Sequence, residues 1–373
     1  MSLNVLHVLV PEPPGEVGGA DMHVLDLARY QLRAGLRPVV VERGSAEFAN
    51  RLRDVGVPVV SASGMRWHAA LRVLAAEMAA RRPDIVHAHG YDADYWAAVV
   101  RLARADLFRE RALAFTQHGI VEDTRWHRAK TLLDAGCTRL ADGVIVCADG
   151  LAGRVRGWRP AGPVRYIPNG VSEPELVGRQ EARHRLGVPP EALLIAYVGR
   201  LSPEKRPDRV LTLVADARAA GLPVHALVAG AGGLGPHLHR QAETLGITDA
   251  VTFAGLVRDV GVVYAATDAL VLLSDTETTS RVVIEAMHSG VPVLASAVGG
   301  VPELLAGGAV GTLVAPGDRA GAHAGLRQLL DARAQFIGPA RRRARERYAV
   351  EVMGQRVTEF YQEIRSVRRA GAR

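Results

Sequence analysis

Only two cysteines, Cys137 and Cys147, occur among 373 residues. That is too few for a disulfide-stapled fold and fits a reducing compartment. Lysine is equally scarce: Lys130 and Lys205 are the only two among 46 basic residues, so arginine carries the net charge of +7. In such a background Lys205 stands out as a position where a compact ammonium is wanted. No apolar run approaches the roughly 20 residues that a membrane-spanning helix needs. The first apolar run, residues 3–10, has no basic stretch ahead of it and reads as a strand, not a signal peptide. These absences point to a cytoplasmic protein. Aromatic residues are sparse at 5% and no nucleic-acid motif accompanies the positive charge, which argues against DNA or RNA as partner. The charge suits phosphate-bearing substrates or an anionic surface, and solubility equally well.

What is present is a globular pattern with 48% hydrophobic residues, long enough for two domains. After residues 3–10 comes a Gly/Pro loop through Gly18-Gly19. A helix pattern follows from Asp21, with Leu25, Ala28 and Leu32 on one face, and then a strand at residues 38–41. Further strands read at residues 84–87, 113–117 and 144–147. A second series occupies 193–198, 225–228, 251–253, 269–273, 293–295 and 312–314. Strands alternating with helices predict right-handed crossovers and parallel sheets. The polar, Pro- and Gly-rich residues 168–190 read as a linker, and an Arg-rich amphipathic helix is expected over residues 339–367.

Ligands of open parallel sheets sit beyond the carboxyl ends of the strands, so those loops come first. The run Gly199-Arg200-Leu201-Ser202-Pro203-Glu204-Lys205-Arg206 joins a strand to a helix and offers fixed positive charge near free backbone donors, suited to a diphosphate or simply to solvent. Glu277 and Glu285 lie eight residues apart, with Thr279-Ser280 placed to cap a helix, so that Glu277 falls in the loop and Glu285 two turns in. Carboxylates accept hydroxyl hydrogen bonds from a ribose or hexose; the same pair is also readable as surface charge or as the acid and base of a glycoside hydrolase. Glycines at Gly18-Gly19, Gly230-Ala231-Gly232-Gly233 and Gly299-Gly300 permit close backbone approach to a phosphate or sugar, and are also ordinary turn chemistry. Histidines gather at strand ends: His87 and His89 in His-Ala-His-Gly, His118 in Thr-Gln-His-Gly. Three imidazoles suggest zinc, but no matching carboxylate or cysteine spacing accompanies them. Contacts to a substrate, with His118 aimed into a cleft, are the expectation; His87 reads equally as a core residue.

These residues resemble the retaining GT-B-fold glycosyltransferases of family 4 (glycosyltransferase group 1) over nearly the whole chain. The resemblance runs through Gly18-Gly19, Val86-His87-Ala88-His89, Thr116-Gln117-His118-Gly119, Ile167-Pro168-Asn169-Gly170-Val171 and Val198 to Lys205. It continues through Glu277, Glu285-Ala286-Met287, Gly290-Val291-Pro292-Val293, Gly299-Gly300-Val301-Pro302-Glu303 and Leu313 to Asp318. It implies an α/β architecture of two facing Rossmann-like domains with parallel sheets and an interdomain cleft. Residues 1–170 would bind the acceptor and residues 171–350 the nucleotide sugar, with a last helix, 351–373, crossing back to the first domain. By the same resemblance Arg200 and Lys205 hold the donor pyrophosphate, together with Gly199, and Glu285 holds the ribose. Glu277 holds hydroxyls of the transferred sugar, and Gly18 and Gly19 approach the phosphates. His118 contacts the transferred sugar at the reacting face, and His89 and His118 lie on the acceptor side. His118, Arg200, Lys205 and Glu277 form the expected catalytic set.

No metal and no cofactor beyond the nucleotide-sugar donor is implied, and a UDP-sugar is favoured. The expected reaction moves a hexosyl or N-acetylhexosaminyl group to a hydroxyl of a small-molecule or natural-product acceptor. Two other readings stay open. One is a peripheral membrane enzyme acting on a lipid or polysaccharide precursor and docking through Arg101, Arg104, Arg109 and Arg111. The other is a non-catalytic sugar-nucleotide-binding protein. Thr279-Ser280 stands where the family often has Phe-Gly or Leu-Gly, Ser172 where Asp is common, and Cys147 where Ser is common. Residues 61–82 and 122–133, on the acceptor side, name no acceptor.

Overall fold

A computed structural model of the chain describes residues 2–10, 17–119 and 125–371. Its contacts divide the chain into two units: residues up to Val171 together with those from Val350 onward, and Ser172–Ala349. Each unit is built on one parallel sheet.

The first unit's sheet has seven strands: β1 (Asn4–Leu9), β2 (Arg37–Glu42), β3 (Val59–Ser61), β4 (Ile85–His89), β5 (Ala112–Gln117), β6 (Gly143–Val146) and β7 (Val164–Tyr166). Their order is β3-β2-β1-β4-β5-β6-β7, so the direction of winding reverses between β1 and β4. Alternation along a strand sends successive side chains to opposite faces. Leu6, Val8, Val86 and Ala88 therefore enter one core, and Val5 and Ile85 the other. The second core is roofed by the helix Val350–Gly371 through Met353, Val357, Phe360, Tyr361 and Ile364, spaced as one face of a helix. The helix Gly19–Arg33 adds Leu27 to that layer. His87 and His89 share Ile85's face by the same alternation. Register sets His7 beside His87, and His89 beside Thr116.

The second unit's sheet has six strands: β8 (Leu193–Val198), β9 (Val224–Ala229), β10 (Val251–Gly255), β11 (Ala269–Leu272), β12 (Val293–Ser296) and β13 (Thr312–Val314). Their order, β10-β9-β8-β11-β12-β13, again reverses beside the first strand.

Several expectations change. The supposed linker, residues 168–190, contains the helix Arg179–Leu186. Its Arg183 is buried, bonding the carbonyl oxygen of Ala266 at 3.2 Å and the Asp268 carboxylate at 3.0 Å, and Arg179 reaches the same carboxylate at 2.8 Å, so arginines help to anchor a polar helix. The C-terminal segment is not one helix. Arg333–Arg347 ends before Tyr348, which is buried, and a separate helix starts at Val350. The strands β3 and β7, each three residues long at an edge of the first sheet, escaped the pattern. No helix among the described residues is long and apolar enough to cross a membrane.

Candidate functional site

In the second unit the loops after β8, β9, β11 and β12 pack backbone on backbone, and glycine makes that possible. A Cβ on Gly230 would stand 1.8 Å from the Gly199 carbonyl oxygen, and one on Gly299, whose φ is +53°, would stand 1.5 Å from that of Glu277. No other residue type fits. Those glycines thus bring loop against loop, where the sequence pattern suggested approach to a ligand. Gly300 N donates to the Thr278 carbonyl at 2.8 Å and Leu201 N to that of Ala231 at 2.9 Å, completing the stack.

On this platform Lys205 Nζ lies 2.8 Å from Glu277 Oε1, and that oxygen also accepts from Ser274 Oγ at 3.0 Å. The Glu277 side chain is only 6% exposed, so the ammonium compensates a carboxylate that has lost most of its water. Lysine has three donors and can keep Glu277 while binding a second anion. Arg200 is more exposed and pairs with Glu204 at 3.1 Å, its carbonyl taken by Tyr197 Oη at 2.5 Å. Gly199 connects this loop to β8, with its N–H donating to the Ala229 carbonyl at 3.0 Å.

A clasp missed by the sequence reading joins the two loops. Arg206 has left-handed backbone (φ +50°) and grips Asp208 with two bonds, 2.9 and 2.7 Å, while reaching Asp275 Oδ2 at 3.2 Å. Arg209 takes the other Asp275 oxygen at 2.6 Å, and Asp275 N donates to the Glu204 carbonyl at 2.9 Å. Burial works against the Asp208 carboxylate, but Arg206 holds its pKa below the ordinary value. The neighbours of Lys205 and Glu277 are thereby tied together from below.

Glu285 is the fifth residue of the helix Arg281–Ser289, little more than one turn in, not two. It is buried, accepting from Tyr264 Oη at 2.9 Å and facing Arg281 Nη2 at 3.4 Å. Burial, and then the carboxylate itself, raise the Tyr264 hydroxyl well above its ordinary pKa, so it stays a donor. Ser280 occupies the N-cap position without a side-chain capping bond, against expectation, and Thr279 precedes it half-buried.

In the first unit Gly18 caps the helix Gly19–Arg33, with Gly18 N donating to Asp21 Oδ2 at 2.6 Å; no atom lies within 4 Å of a Cβ built on Gly19. Burial pushes the Asp21 carboxyl up to about 6.

The histidines form a buried polar layer. His7 Nε2 lies 2.8 Å from Gln31 Oε1, an acceptor, so Nε2 carries the proton and Nδ1 accepts from His89 Nε2 at 2.9 Å. Gln31 Nε2 reaches Tyr361 Oη at 3.4 Å, Tyr361 donates to His87 Nδ1 at 2.7 Å, and His87 Nε2 donates to Thr116 Oγ1 at 2.6 Å. One directed chain thus runs Thr116, His87, Tyr361, Gln31, His7, His89. Burial lowers His7 to about 4 and holds His87 and His89 well below the usual range, so all three stay neutral. His89, expected against an acceptor, is 1% exposed and is a core histidine. His118 lies past β5, half-buried, with Nδ1 3.8 Å from Cys147 Sγ and its pKa lowered by burial to about 4. The absence of a cysteine near the imidazoles was a misreading of sequence distance, since the pairing of β5 with β6 brings Cys147 alongside.

Asp94 and Asp134 make a second buried pair, with Gln117 Nε2 donating to Asp94 at 2.7 Å. Burial, and for Asp94 the neighbouring carboxyl, raise both, Asp134 to about 7. Glu122, within the acceptor-side stretch, lies outside the described residues.

Two family models match: Glycosyltransferase Family 4 over residues 17–173 and Glycosyl transferases group 1 over residues 178–349. The chain is 31% identical over 333 residues to the D-inositol 3-phosphate glycosyltransferase of Mycobacterium marinum, covering 82% of this chain and 71% of that one. It is 41% identical over 162 residues to D-inositol 3-phosphate glycosyltransferase 2 of Catenulispora acidiphila, and there spans only 38% of the relative's length. Its fold is that of Anabaena HepE, solved in complex with UDP-glucose, at a TM-score of 0.84 with 22% identity, covering 97% of this chain and all of the other.

Proposed function

Since this chain belongs to the family 4, group 1 glycosyltransferases, we propose that it transfers a hexosyl or N-acetylhexosaminyl group from a UDP-sugar to a hydroxyl of a small polar acceptor, with retention at the sugar carbon. The observation that carries the reading is the Lys205–Glu277 pair at 2.8 Å, on a platform of loops at the strand ends of the second unit. It offers a cation for the pyrophosphate and, beside it, a carboxylate for sugar hydroxyls. Arg200 adds a second charge, Glu285 takes the ribose, and the backbone N–H groups of the first turn at Arg281 complete the cradle. In the first unit, Gly18 and Gly19 are the residues proposed for the phosphates and His118 the one proposed for the transferred sugar. As the glycosidic bond breaks, negative charge grows on the leaving phosphate, where Lys205 and Arg200 act most strongly. That phosphate takes the acceptor's proton, so no metal or protein base is required.

The relatives' activity on D-inositol 3-phosphate suggests a phosphorylated polyol as the first acceptor to try, and the arginine-borne charge of +7 suits it. The donor assignment is tested by thermal denaturation with UDP-, GDP-, ADP- and dTDP-sugars, because a ligand that binds only the native state raises Tm. UDP-sugars are expected to raise it in the wild type and to a lesser degree in Glu285→Ala. A shift confined to another nucleotide overturns the UDP reading, and an unchanged shift in Glu285→Ala overturns the ribose contact.

A further inference from the structure

Among the described residues, two groups of imidazole and thiol side chains in the first unit are close enough to hold a metal, His7 with His87 and His89, and His23 with His118 and Cys147. In the first group both nitrogens of His7 and of His87, and Nε2 of His89, are already committed to the chain that ends on Thr116. A cation there would have to break bonds buried away from water, which is costly.

The second group is built differently. His23 comes from the helix Gly19–Arg33, His118 from the residue after β5 and Cys147 from the residue after β6. Three element ends thus converge, and their ligand atoms all lie within 4.8 Å of one another. Cys147 Sγ is 3.8 Å from His118 Nδ1. Tetrahedral zinc, with its usual bond lengths, sets a sulfur and a nitrogen about 3.5 Å apart, so small side-chain rotations close the site. His118 Nε2 is buried with no hydrogen-bond partner among the described residues. Two imidazoles and a thiol make a borderline-soft donor set, suited to zinc or cobalt(II) and poorly suited to magnesium or calcium.

We infer that His23, His118 and Cys147 form a binding site for a zinc-type divalent cation, with water in the fourth position. Coordination forms one bond to sulfur and two to neutral imidazole nitrogens, and the thiol proton leaves to solvent. A cation held there occupies His118. This consequence rests on the proposed role of His118 in transfer, whereas the site itself does not.

The test is titration of the purified full chain with cobalt(II) alone. A thiolate-to-cobalt charge-transfer band in the near ultraviolet is expected, saturating at one equivalent. It should disappear in Cys147→Ser and weaken in His23→Ala, while Cys137→Ser, which alters the other cysteine, keeps it. Circular dichroism verifies that each variant is folded. No sulfur band in the wild type, or a band that survives in Cys147→Ser, overturns the site. Zinc added to the transfer assay should inhibit the wild type and spare Cys147→Ser. A cobalt band without zinc inhibition leaves the site standing and removes His118 from the reaction.

Discussion

On and beside β1, β4 and β5, buried imidazoles and carboxyls are kept neutral and hydrogen-bonded. At the carboxyl ends of β8 and β11, lysine, arginine and carboxylates are kept charged and paired. Both sheets have the same strand order about their first strand, so the fold does not dictate the difference. Solvent does. His7, His87 and Asp94 are fully buried, where an unpaired charge costs far more than a neutral hydrogen bond. Lys205 is 22% exposed and Asp275 41%, and the Lys205 ammonium compensates the largely buried Glu277 carboxylate. One unit thus holds a layer of neutral groups and the other a layer of ion pairs.

The largest effect that would break this comparison is in pH. Asp134 is raised to about 7 in the folded protein, so between pH 4 and 7 the unfolded chain ionises there while the folded one stays protonated. Its contribution is complete below pH 4 and lost as pH rises to 7. His7, lowered to about 4, has the opposite sign: its contribution is complete above 6.5 and lost as pH falls to 4. Asp134→Asn removes the Asp134 share of the first slope, to which the raised carboxyls of Asp94 and Asp21 also contribute, and leaves the second. Urea denaturation should therefore show the variant gaining on the wild type as pH rises from 4 to 7, by up to about 4 kcal/mol. A difference independent of pH would mean that the pair is ionised in the core.

Next in size is Lys205→Ala. Removing one donor from a developing oxyanion typically costs two to three orders of magnitude in turnover. Turnover with a UDP-sugar should fall by about 100- to 1,000-fold, and Tm should fall as well, because the largely buried Glu277 carboxylate loses its compensating ammonium. Activity within a factor of two of the wild type would remove Lys205 from the reacting phosphate.

Much of this contrast was legible in the sequence. Gly199 to Lys205, and Glu277 with Glu285, announced the charged site, because the loop residues and the spacing are local. The alternation His87-Ala88-His89 put two imidazoles on one face, but not which face, since that depends on the helix Val350–Gly371 folding back over 260 residues later to supply Tyr361. Cys147 beside His118 and Gln31 beside His7 depend likewise on strand pairing and helix packing. Arg183 holding a polar helix, and the Asp94–Asp134 pair, break the rule that charge marks surface, which is why the pattern missed them.

The smallest predicted effect is also the one most specific to this chain. Asp275 touches no proposed substrate group; it joins Arg206 and Arg209 beneath the loops that carry Lys205 and Glu277, so it is a positioning residue. Asp275→Asn keeps the shape and removes the charge. Bonds to charged groups contribute about 1.5–3 kcal/mol when buried. With the carboxylate 41% exposed, solvent screening reduces this to about 1 kcal/mol, or somewhat less than tenfold in kcat/KM. The loss should fall on kcat more than on donor KM, because a loosened Lys205 still meets the ground-state pyrophosphate but follows its growing charge less well. Double-mutant analysis sharpens the point. If Asp275 acts through Lys205, adding Asp275→Asn to Lys205→Ala should cost almost nothing more. Independent, multiplicative losses would show that the clasp serves some other part of the loop, and an unchanged kcat in the single variant would show that backbone packing around Gly230 and Gly299 suffices to aim the lysine.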